Sequence, residues 1–176
     1  MQIELRRGVT IHPGTFTAVI APEKVILAAL NSNRDLQRFL FLFVSGNYSR
    51  LLSGISRTSG NFDIRRPFTA DQLLVVLNEA AHTVIFVEHD QDLFEGAERM
   101  FGPVASALRT AGREALVILY APAMDRSFAA LIREADRIIE LLPPDDPADR
   151  PAYRSSRSAR ADGGRVHPAQ KTLEVL

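Results

Sequence analysis

Five short segments of this chain are almost continuously apolar, and they constrain the fold more than any other feature. They are TFTAVIA (15–21), LFLFVS (40–45), HTVIFVE (82–88), EALVILYAP (114–122) and DRIIELLP (136–143). A strand with one solvent-exposed face alternates apolar and polar residues, whereas a strand that is buried on both faces is apolar throughout. The segments therefore predict strands of a sheet that is covered on both sides.

Segments with the apolar spacing of helices lie between these strands. The predicted helices are PEKVILAALNSNRDLQRF (22–39), ADQLLVVLNEAA (70–81), DLFEGAERMFGPVASALRTAGR (92–113) and MDRSFAALIREA (124–135), with a further short helix at 48–56. Thr69 and Gln72 have the spacing of a capping box, and Gly102-Pro103 is expected to kink or split the 92–113 helix. The alternation of strand and helix predicts a doubly wound α/β domain with a mostly parallel sheet.

The composition changes at Pro143, where this domain is expected to end. Residues 143–168 are rich in Pro, Asp, Arg, Ser and Gly and contain almost nothing that could pack into a core. Such a composition is typical of a disordered segment. The sequence therefore predicts a domain at 1–142, a disordered linker at 143–168 and a C-terminal interaction peptide at 169–176.

Composition also excludes several classes of function. The 21 basic and 21 acidic residues balance, so no overall charge would attract nucleic acid or a membrane surface. Cysteine is absent, which excludes disulfides and thiolate metal sites. No apolar segment reaches the ~18 residues of a membrane span, and the N-terminus lacks the apolar region of a signal peptide. We therefore expect a soluble, cytoplasmic protein.

Candidate site residues lie at the ends of three predicted strands, and they could come together at one edge of the sheet. Ser45 and Asn47 lie at one end, Met124, Asp125 and Arg126 at another, and Glu88, His89 and Asp90 at the end of the strand at 82–88. Ligands of parallel sheets bind at the carboxyl ends of strands, so the carboxylates of Glu88 and Asp90 either contact a divalent metal or nucleotide, or cap the next helix. A metal site through Glu88, His89 and Asp90 together is disfavoured, because successive side chains of a strand point to opposite faces. The four histidines are scattered and no Gly-x-Ser-x-Gly motif occurs, so Ser/His/Asp hydrolysis has no support from the sequence.

Three consecutive segments carry a resemblance to a known family. They are FDIRRPFTADQLLVVLNEA, TVIFVEHD and ALVILYAPAMDRSFAALIREADRIIEL. Their order resembles the RecA-like and KaiC-like branch of the P-loop NTPases, in which a helix with a Thr-x-x-Gln-Leu pattern precedes a strand that ends in the Walker B acid. The resemblance implies that Glu88 or Asp90 occupies that position, with magnesium and ATP as ligands, and that Ala135-Asp136-Arg137 leads into the last strand.

The phosphate-binding loop of that family is missing from this chain. The loop would follow the first strand as Gly-x-x-x-x-Gly-Lys-Ser/Thr, whose glycine amides wrap the phosphates while the lysine neutralises them. Here the first strand is followed by APEKVILAALN, which has no glycine and has Val25 after Lys24. We therefore expect no conventional ATP hydrolysis and no cofactor. The alternative is a divergent NTPase that uses Glu88 or Asp90 for magnesium.

The last residues of the chain, AQKTLEVL, contain a second pattern. Gln170, Leu173 and Leu176 recur every three residues, so one helical turn would bring the leucines to one side with the glutamine alongside. This is similar to the PCNA-interacting peptide, although Leu176 replaces its aromatic pair. The resemblance implies that Gln170 enters the glutamine pocket of the sliding clamp and that the leucines enter its hydrophobic pocket. An edge strand, KTLEVL, and a terminus without a role are the alternatives.

Together these features predict a non-hydrolytic, RecA-like accessory protein in DNA recombination, repair or replication, with PCNA or a RecA-like homologue as its partner. Direct contact with DNA would depend on Arg65, Arg66 and the Ser/Arg residues of the tail, and would weaken steeply with salt. A KaiC-like regulatory module that assembles with itself or with a signalling partner is the alternative from another functional class.

Overall fold

The computed structural model describes residues 2–6, 8–33, 36, 38–56 and 60–141, which belong to one compact unit spanning Met1–Pro144. The chain begins with an antiparallel hairpin, β1 (Ile3–Arg6) and β2 (Val9–Ile11), which turns at Gly8 with a φ of 83°. A positive φ of this size favours glycine, which has no Cβ to clash with the backbone. Any other residue at position 8 would therefore strain the backbone of the hairpin.

A parallel sheet follows the hairpin. Its six strands within the described residues are β3 (Thr15–Ile20), β4 (Phe41–Val44), β5 (Phe62–Arg65), β6 (Val84–Glu88), β7 (Leu116–Ala121) and β8 (Arg137–Glu140). The strand order is β5-β4-β6-β7-β3-β8, and all neighbouring strands are parallel. All carboxyl ends of the strands therefore lie along one edge of the sheet.

Helices cover both faces of this sheet. They are α1 (Glu23–Ser32), α2 (Ala70–Glu79), α3 (Phe101–Gly112) and α4 (Arg126–Leu131), with 3-10 turns at Gln91–Phe94, Glu98–Met100 and Ile132–Glu134. Helices α2, α3 and α4 bury one core against the sheet. Helix α1 and the β1–β2 hairpin bury a second core on the opposite face. This arrangement confirms the predicted doubly wound α/β fold with a parallel sheet.

The four inner strands β3, β4, β6 and β7 are apolar because each contributes to both cores. The strand predicted at 136–143 is covered less than expected, since β8 lies at the edge of the sheet and its Ile138 is exposed. Along β6, Val84 and Phe86 lie in the core beneath α1, whereas Ile85 and Val87 lie in the core beneath α2 and α3. Four aromatic rings form a row on the α1 face: Phe62 stacks on Phe43, Phe43 on Phe86, and Phe86 on Tyr120, with centroids 5.4 to 6.2 Å apart. Aromatic pairs at this separation add to the free energy of burial. The row ties β5, β4, β6 and β7 together.

Two strand elements were not predicted. The β1–β2 hairpin has an alternating pattern, with Ile3 and Leu5 buried, and β5 alternates half-buried Phe62 and Ile64 with exposed Asp63 and Arg65. Alternation over four residues is typical of a strand with one covered face, but it is too short to distinguish from a loop. Strand β5 forms one edge of the six-stranded sheet, and the β1–β2 hairpin covers part of its α1 face.

Several predicted helices differ from the structure. The helix predicted at 92–113 begins only at Phe101, because Gly96 has a φ of 67° and breaks the chain into 3-10 turns. Pro103 lies in the first turn of α3, where a missing N–H is tolerated, so the predicted helix is split just before Gly102-Pro103 and is not kinked there. Residues 48–56 form turns rather than a helix. Helix α1 ends at Ser32, since the Asn33 amide donates to Ala29 O at 2.6 Å and to Glu4 O at 2.9 Å.

The predicted Thr69 cap of α2 is confirmed, but the reciprocal bond of the capping box is shifted by one residue, since Gln72 accepts from Phe68 and not from the N-cap Thr69. Thr69 Oγ1 accepts from the backbone N–H of Gln72 at 3.2 Å, and Gln72 Oε1 accepts from Phe68 N at 2.8 Å. No helix within the described residues is long and apolar enough to cross a membrane. The predicted linker at 143–168 and the peptide at 169–176 lie outside the described residues.

Candidate functional site

The polar residues predicted at the sheet's carboxyl edge separate onto its two faces. Glu88 ends β6 and lies on the α1 side, level with Tyr120 of the neighbouring strand β7. His89, the next residue, lies on the opposite side between Phe94 and Phe128. Successive residues of an extended chain point to opposite faces, as predicted. The acidic end of β6 is therefore not one site but two.

Glu88 is buried and anchors the loop that follows β4. Its Oε1 accepts from Arg50 N at 3.0 Å, its Oε2 accepts from the hydroxyl of Ser49, and Ser49 Oγ in turn accepts from Leu52 N at 2.9 Å. Burial raises the pKa of the Glu88 carboxyl above its usual range, while the hydrogen bonds from Ser49, Arg50 and Leu51 lower it and the charge of Glu23 raises it further. Both carboxylate oxygens of Glu88 thus accept hydrogen bonds from the loop at residues 49–52.

Tyr120 and Glu23 complete this side of the edge. The Tyr120 hydroxyl donates to Ala21 O at 3.1 Å, at the point where β3 leads into α1. Burial raises the pKa of Tyr120 to about 12, and the nearby charges of Glu88 and Glu23 contribute to the shift. Two carboxylates therefore lie close to the turn at which a P-loop protein would hold phosphates.

The turn itself is short and leads directly into a helix. Ala21 N donates to Ala121 O at 3.3 Å, Pro22 is the N-cap of α1, and Glu23 is the first helical residue. The N–H groups of Val25 and Ile26 both donate to Pro22 O, at 2.9 and 3.3 Å. Pro22 itself has no N–H. This turn consequently has no extended glycine loop like that of a phosphate cradle, and the amides of Ala21, Val25 and Ile26 are already bonded to carbonyl groups, so its residues do not fit ATP phosphates.

Asp90 acts as a cap. Its Oδ1 accepts from Asp92 N at 3.0 Å and begins the 3-10 turn at Gln91–Phe94. Its other oxygen lies against Gly46 in the loop after β4, where an added Cβ would be only 1.9 Å from Asp90 Oδ2. This is the helix-capping role that the sequence left open as the alternative to metal binding.

On the His89 side of the edge, the structure brings together His89 and Asp125 in one cluster, as the sequence allowed, and adds Ser127, which sequence reasoning missed. His89 Nε2 lies 2.9 Å from Asp125 Oδ2 and 3.1 Å from Ser127 Oγ. Ser127 Oγ donates to Asp125 Oδ1 at 2.6 Å, and Phe128 N donates to the same oxygen at 2.8 Å. Asp125 is thereby the N-cap of α4. The spacing Asp-x-x-Phe at a strand-to-helix junction was the only signal of this role in the sequence.

The cluster has the residue types of a hydrolase triad but not its geometry. Burial alone would raise the pKa of Asp125, but the hydrogen bonds from Ser127 and Phe128 N, together with His89, outweigh it and lower the pKa. Burial lowers the pKa of His89, although Asp125 opposes this shift. A neutral His89 therefore donates through Nε2 to an ionised Asp125. Because Ser127 faces that same nitrogen, which already holds a proton, the ring cannot accept a proton from the serine.

An open cleft of about 340 Å³ adjoins this cluster. Phe94 and Phe101 provide its apolar surface, and its charged residues are Asp92, Glu95, Glu98, Asp125 and Arg126. We call it the acidic cleft. Four carboxylates against one guanidinium favour a cationic ligand over a phosphate.

The remaining predicted residues are placed as follows. Ser45 is buried on the Glu88 side, and its hydroxyl has no hydrogen-bond partner among the described residues. No group of three metal-binding side chains occurs in the described part of the chain. Gln170, Leu173 and Leu176 lie outside it.

Comparison with known proteins identifies similar proteins and no family. No family model matches the sequence. An uncharacterized protein of Archaeoglobus fulgidus is 42% identical over 127 residues, which cover 72% of this chain and 64% of that protein. The chain thus spans less than two thirds of the length of this relative. The structure of C. elegans PCH-2 is similar at a TM-score of 0.37 and 13% identity, over 73% of this chain and 35% of that chain.

Proposed function

We propose that this chain is a RecA-like domain that does not hydrolyse nucleotide and acts by binding, as a cytoplasmic accessory protein in DNA recombination, repair or replication. The observation that carries the non-hydrolytic part is the turn between β3 and α1. It passes from Ala21 through Pro22 straight into the helix at Glu23. Such a turn offers no loop that could surround phosphates.

Charge supports the same conclusion. Burial raises the pKa of the Glu88 carboxyl, and the nearby negative charge of Glu23 adds a smaller rise, so two carboxylates lie close together at this edge. A triphosphate would bring several further negative charges to this edge without the lysine that neutralises them in P-loop proteins. Repulsion between like charges would be strong there, because burial weakens the screening by water.

The RecA-like or KaiC-like assignment is supported by the order of the elements. Helix α2 begins at the Thr69 cap, β6 ends in Glu88, and β7 and β8 follow in the parallel sheet. The accessory role is supported by the C-terminal pattern of Gln170, Leu173 and Leu176, which resembles a clamp-binding peptide. These two features together favour a binding protein over an enzyme.

Titration calorimetry of the full chain with ATP and magnesium tests the non-hydrolytic role. We expect no saturable heat with a dissociation constant below about 1 mM. The Glu88→Gln and Asp90→Asn chains are titrated in parallel as matched variants. Saturable binding that is lost in either variant would instead support the divergent NTPase.

A pull-down with the sliding clamp tests the partner. The full chain is compared with a chain that ends after Ala169 and with a full-length Gln170→Ala, Leu173→Ala, Leu176→Ala variant. We expect retention of the full chain and loss of both variants, because they lack the glutamine and leucine side chains. Equal retention of all three would remove the clamp from the proposal.

The KaiC-like regulatory module is the second candidate. Both edge strands of the sheet, β5 and β8, have no further strand beside them among the described residues, and Ile138 on β8 is 57% exposed. Open edges and exposed apolar side chains are typical of surfaces that bind a partner. An oligomer that persists in high salt, with no affinity for DNA, would favour this candidate.

A further inference from the structure

A groove between α3 and α4 continues from the acidic cleft. It has a volume of about 460 Å³ and shares Phe101 and Arg126 with the cleft. Its other lining residues are the small residues Gly102, Ala105, Ala129 and Ala130 and the charged residues Arg133 and Glu134. We call it the α3–α4 groove. The cleft and the groove meet at Phe101 and Arg126, with the small apolar residues on the groove side and most of the carboxylates on the cleft side, which we call the acidic half.

The acidic half has an excess of negative charge that the domain does not neutralise. The Asp125 carboxylate already accepts hydrogen bonds from His89, from Ser127 and from the backbone N–H of Phe128. Asp92, Glu95 and Glu98 form no ion pair with another described residue. Three carboxylates beside a partly apolar groove match a partner that combines basic and aromatic side chains.

The chain itself presents such a combination at the end of β5, in the sequence Arg65-Arg66-Pro67-Phe68. Both arginines are exposed and form no ion pair with another described residue. Phe68 precedes the N-cap of α2, a position from which an apolar side chain often packs onto the fourth helical residue. That residue, Leu73, is buried, yet Phe68 remains 62% exposed. We call residues 65–68 the basic aromatic segment.

We propose that a second copy of this chain occupies the cleft and groove, with the basic aromatic segment of one protomer docked between α3 and α4 of the next. Phe68 enters the α3–α4 groove beside Phe101, and Arg65 and Arg66 face the carboxylates of the acidic cleft. Arginine and aromatic residues are the side chains that dominate binding energy in protein interfaces. The assembly does not depend on the non-hydrolytic role, so either proposal can fail alone.

The geometry predicts the kind of assembly. The segment and the cleft are different surfaces of the same chain, so the contact is head to tail and adds protomers successively instead of stopping at a symmetric dimer. A four-residue segment lies at the small end of protein interfaces, so the association is weak and depends on concentration. Since it depends on charge, it weakens as salt increases.

Sedimentation velocity of the full chain over a concentration series tests the proposal. At low salt the mean mass rises with concentration, and at about 1 M salt, where screening acts within about 3 Å, the rise is lost. Three variants weaken the association about tenfold or more: Arg65→Glu with Arg66→Glu, Glu95→Arg with Glu98→Arg, and Phe68→Ala. The matched control, Lys24→Glu with Arg113→Glu, changes the net charge equally at two exposed sites elsewhere and associates normally.

Mixing the two charge-reversed variants identifies the contact itself. Each variant alone has like charges in both of its complementary surfaces, but in the mixture an acidic segment meets a basic cleft and a basic segment meets an acidic cleft. The mixture therefore recovers the association that each variant has lost. A chain that stays monomeric at every concentration and salt would overturn the proposal. Association that survives the Arg65 and Arg66 reversal, or a mixture that does not recover, would also overturn it.

Discussion

Glu88 and His89 are neighbours in the chain, yet they belong to two different regions of the molecule. Glu88 faces α1 and is enclosed by the loop at residues 49–52, whose hydroxyl and amide groups satisfy its oxygens. His89 faces α3 and α4, is paired with Asp125, and borders the open acidic cleft. Glu88, the carboxylate that suggested nucleotide binding, is therefore buried, whereas the accessible acidic cleft lies on the other side of the strand.

The difference teaches that the place of a residue in a fold does not determine its role. Glu88 occupies the strand end that would carry the Walker B acid in the resembling family. A Walker B acid needs a bound cation and phosphates nearby, and here the carboxylate instead accepts from Ser49 and Arg50 while Glu23 lies close to it. The same acid therefore stabilises a loop, and it can be tested as a structural residue.

Glu88→Ala is expected to have the largest effect. It leaves the half-buried Ser49 hydroxyl and the Arg50 N–H without their acceptor, which costs about 1 to 3 kcal/mol of unfolding free energy. Urea unfolding at neutral pH measures this loss. Glu79→Ala, at the exposed end of α2, is the control and should change stability by less than about 0.5 kcal/mol. If the two variants lose the same small amount, Glu88 does not hold the loop.

Much of the fold could be predicted from the sequence because burial on both faces leaves a strong pattern. Strands such as β6 and β7 are apolar throughout, and Thr69 with Gln72 marks the start of α2. The hairpin and β5 were missed, since four-residue alternation resembles a loop. The early end of α1 depends on the side chain of Asn33, which reaches back to Ala29 and across to Glu4, and sequence spacing does not reveal such a bond.

The candidate site was less predictable because its contacts join distant parts of the chain. Glu88 is satisfied by a loop that begins 39 residues earlier at Ser49, and His89 by Asp125, 36 residues later. Sequence reasoning could place Glu88, His89 and Asp90 at a strand end and could separate their faces. It could not foresee which donors would reach them, since this depends on the strand order and on the path of the loops.

The two neighbours are also expected to respond to pH in opposite directions. Burial lowers the pKa of His89 below 6.5, so protonation favours the unfolded chain and stability falls as the pH falls below 6.5. Burial raises the pKa of Glu88 above 4.5, so protonation favours the folded chain and its contribution decreases as the pH rises through the folded-state value.

Unfolding midpoints in urea between pH 7 and 5 separate these contributions, which are smaller than the loss in Glu88→Ala because no buried group is left without a partner. His89→Gln should flatten the decline on the acid side, since the amide keeps a donor for Asp125 but does not titrate. Asp125→Asn should steepen the decline, because the charge that supports protonated His89 is removed. A His89→Gln chain with the wild-type pH profile would show that another group causes the decline.

The smallest effect is expected for Asp90→Ala, only two residues beyond Glu88. Asp90 is half-buried, and its loss removes the cap of a 3-10 turn, which costs about 1 kcal/mol.

Gly46→Ala should destabilise the chain through its contact with Asp90, because the added Cβ would displace the Asp90 carboxylate. The double variant separates the two effects in urea unfolding. If the Asp90 carboxylate is the only obstacle, Gly46→Ala costs much less in the Asp90→Ala background than in the wild type. Equal costs in both backgrounds would show that Gly46 is constrained by something other than Asp90.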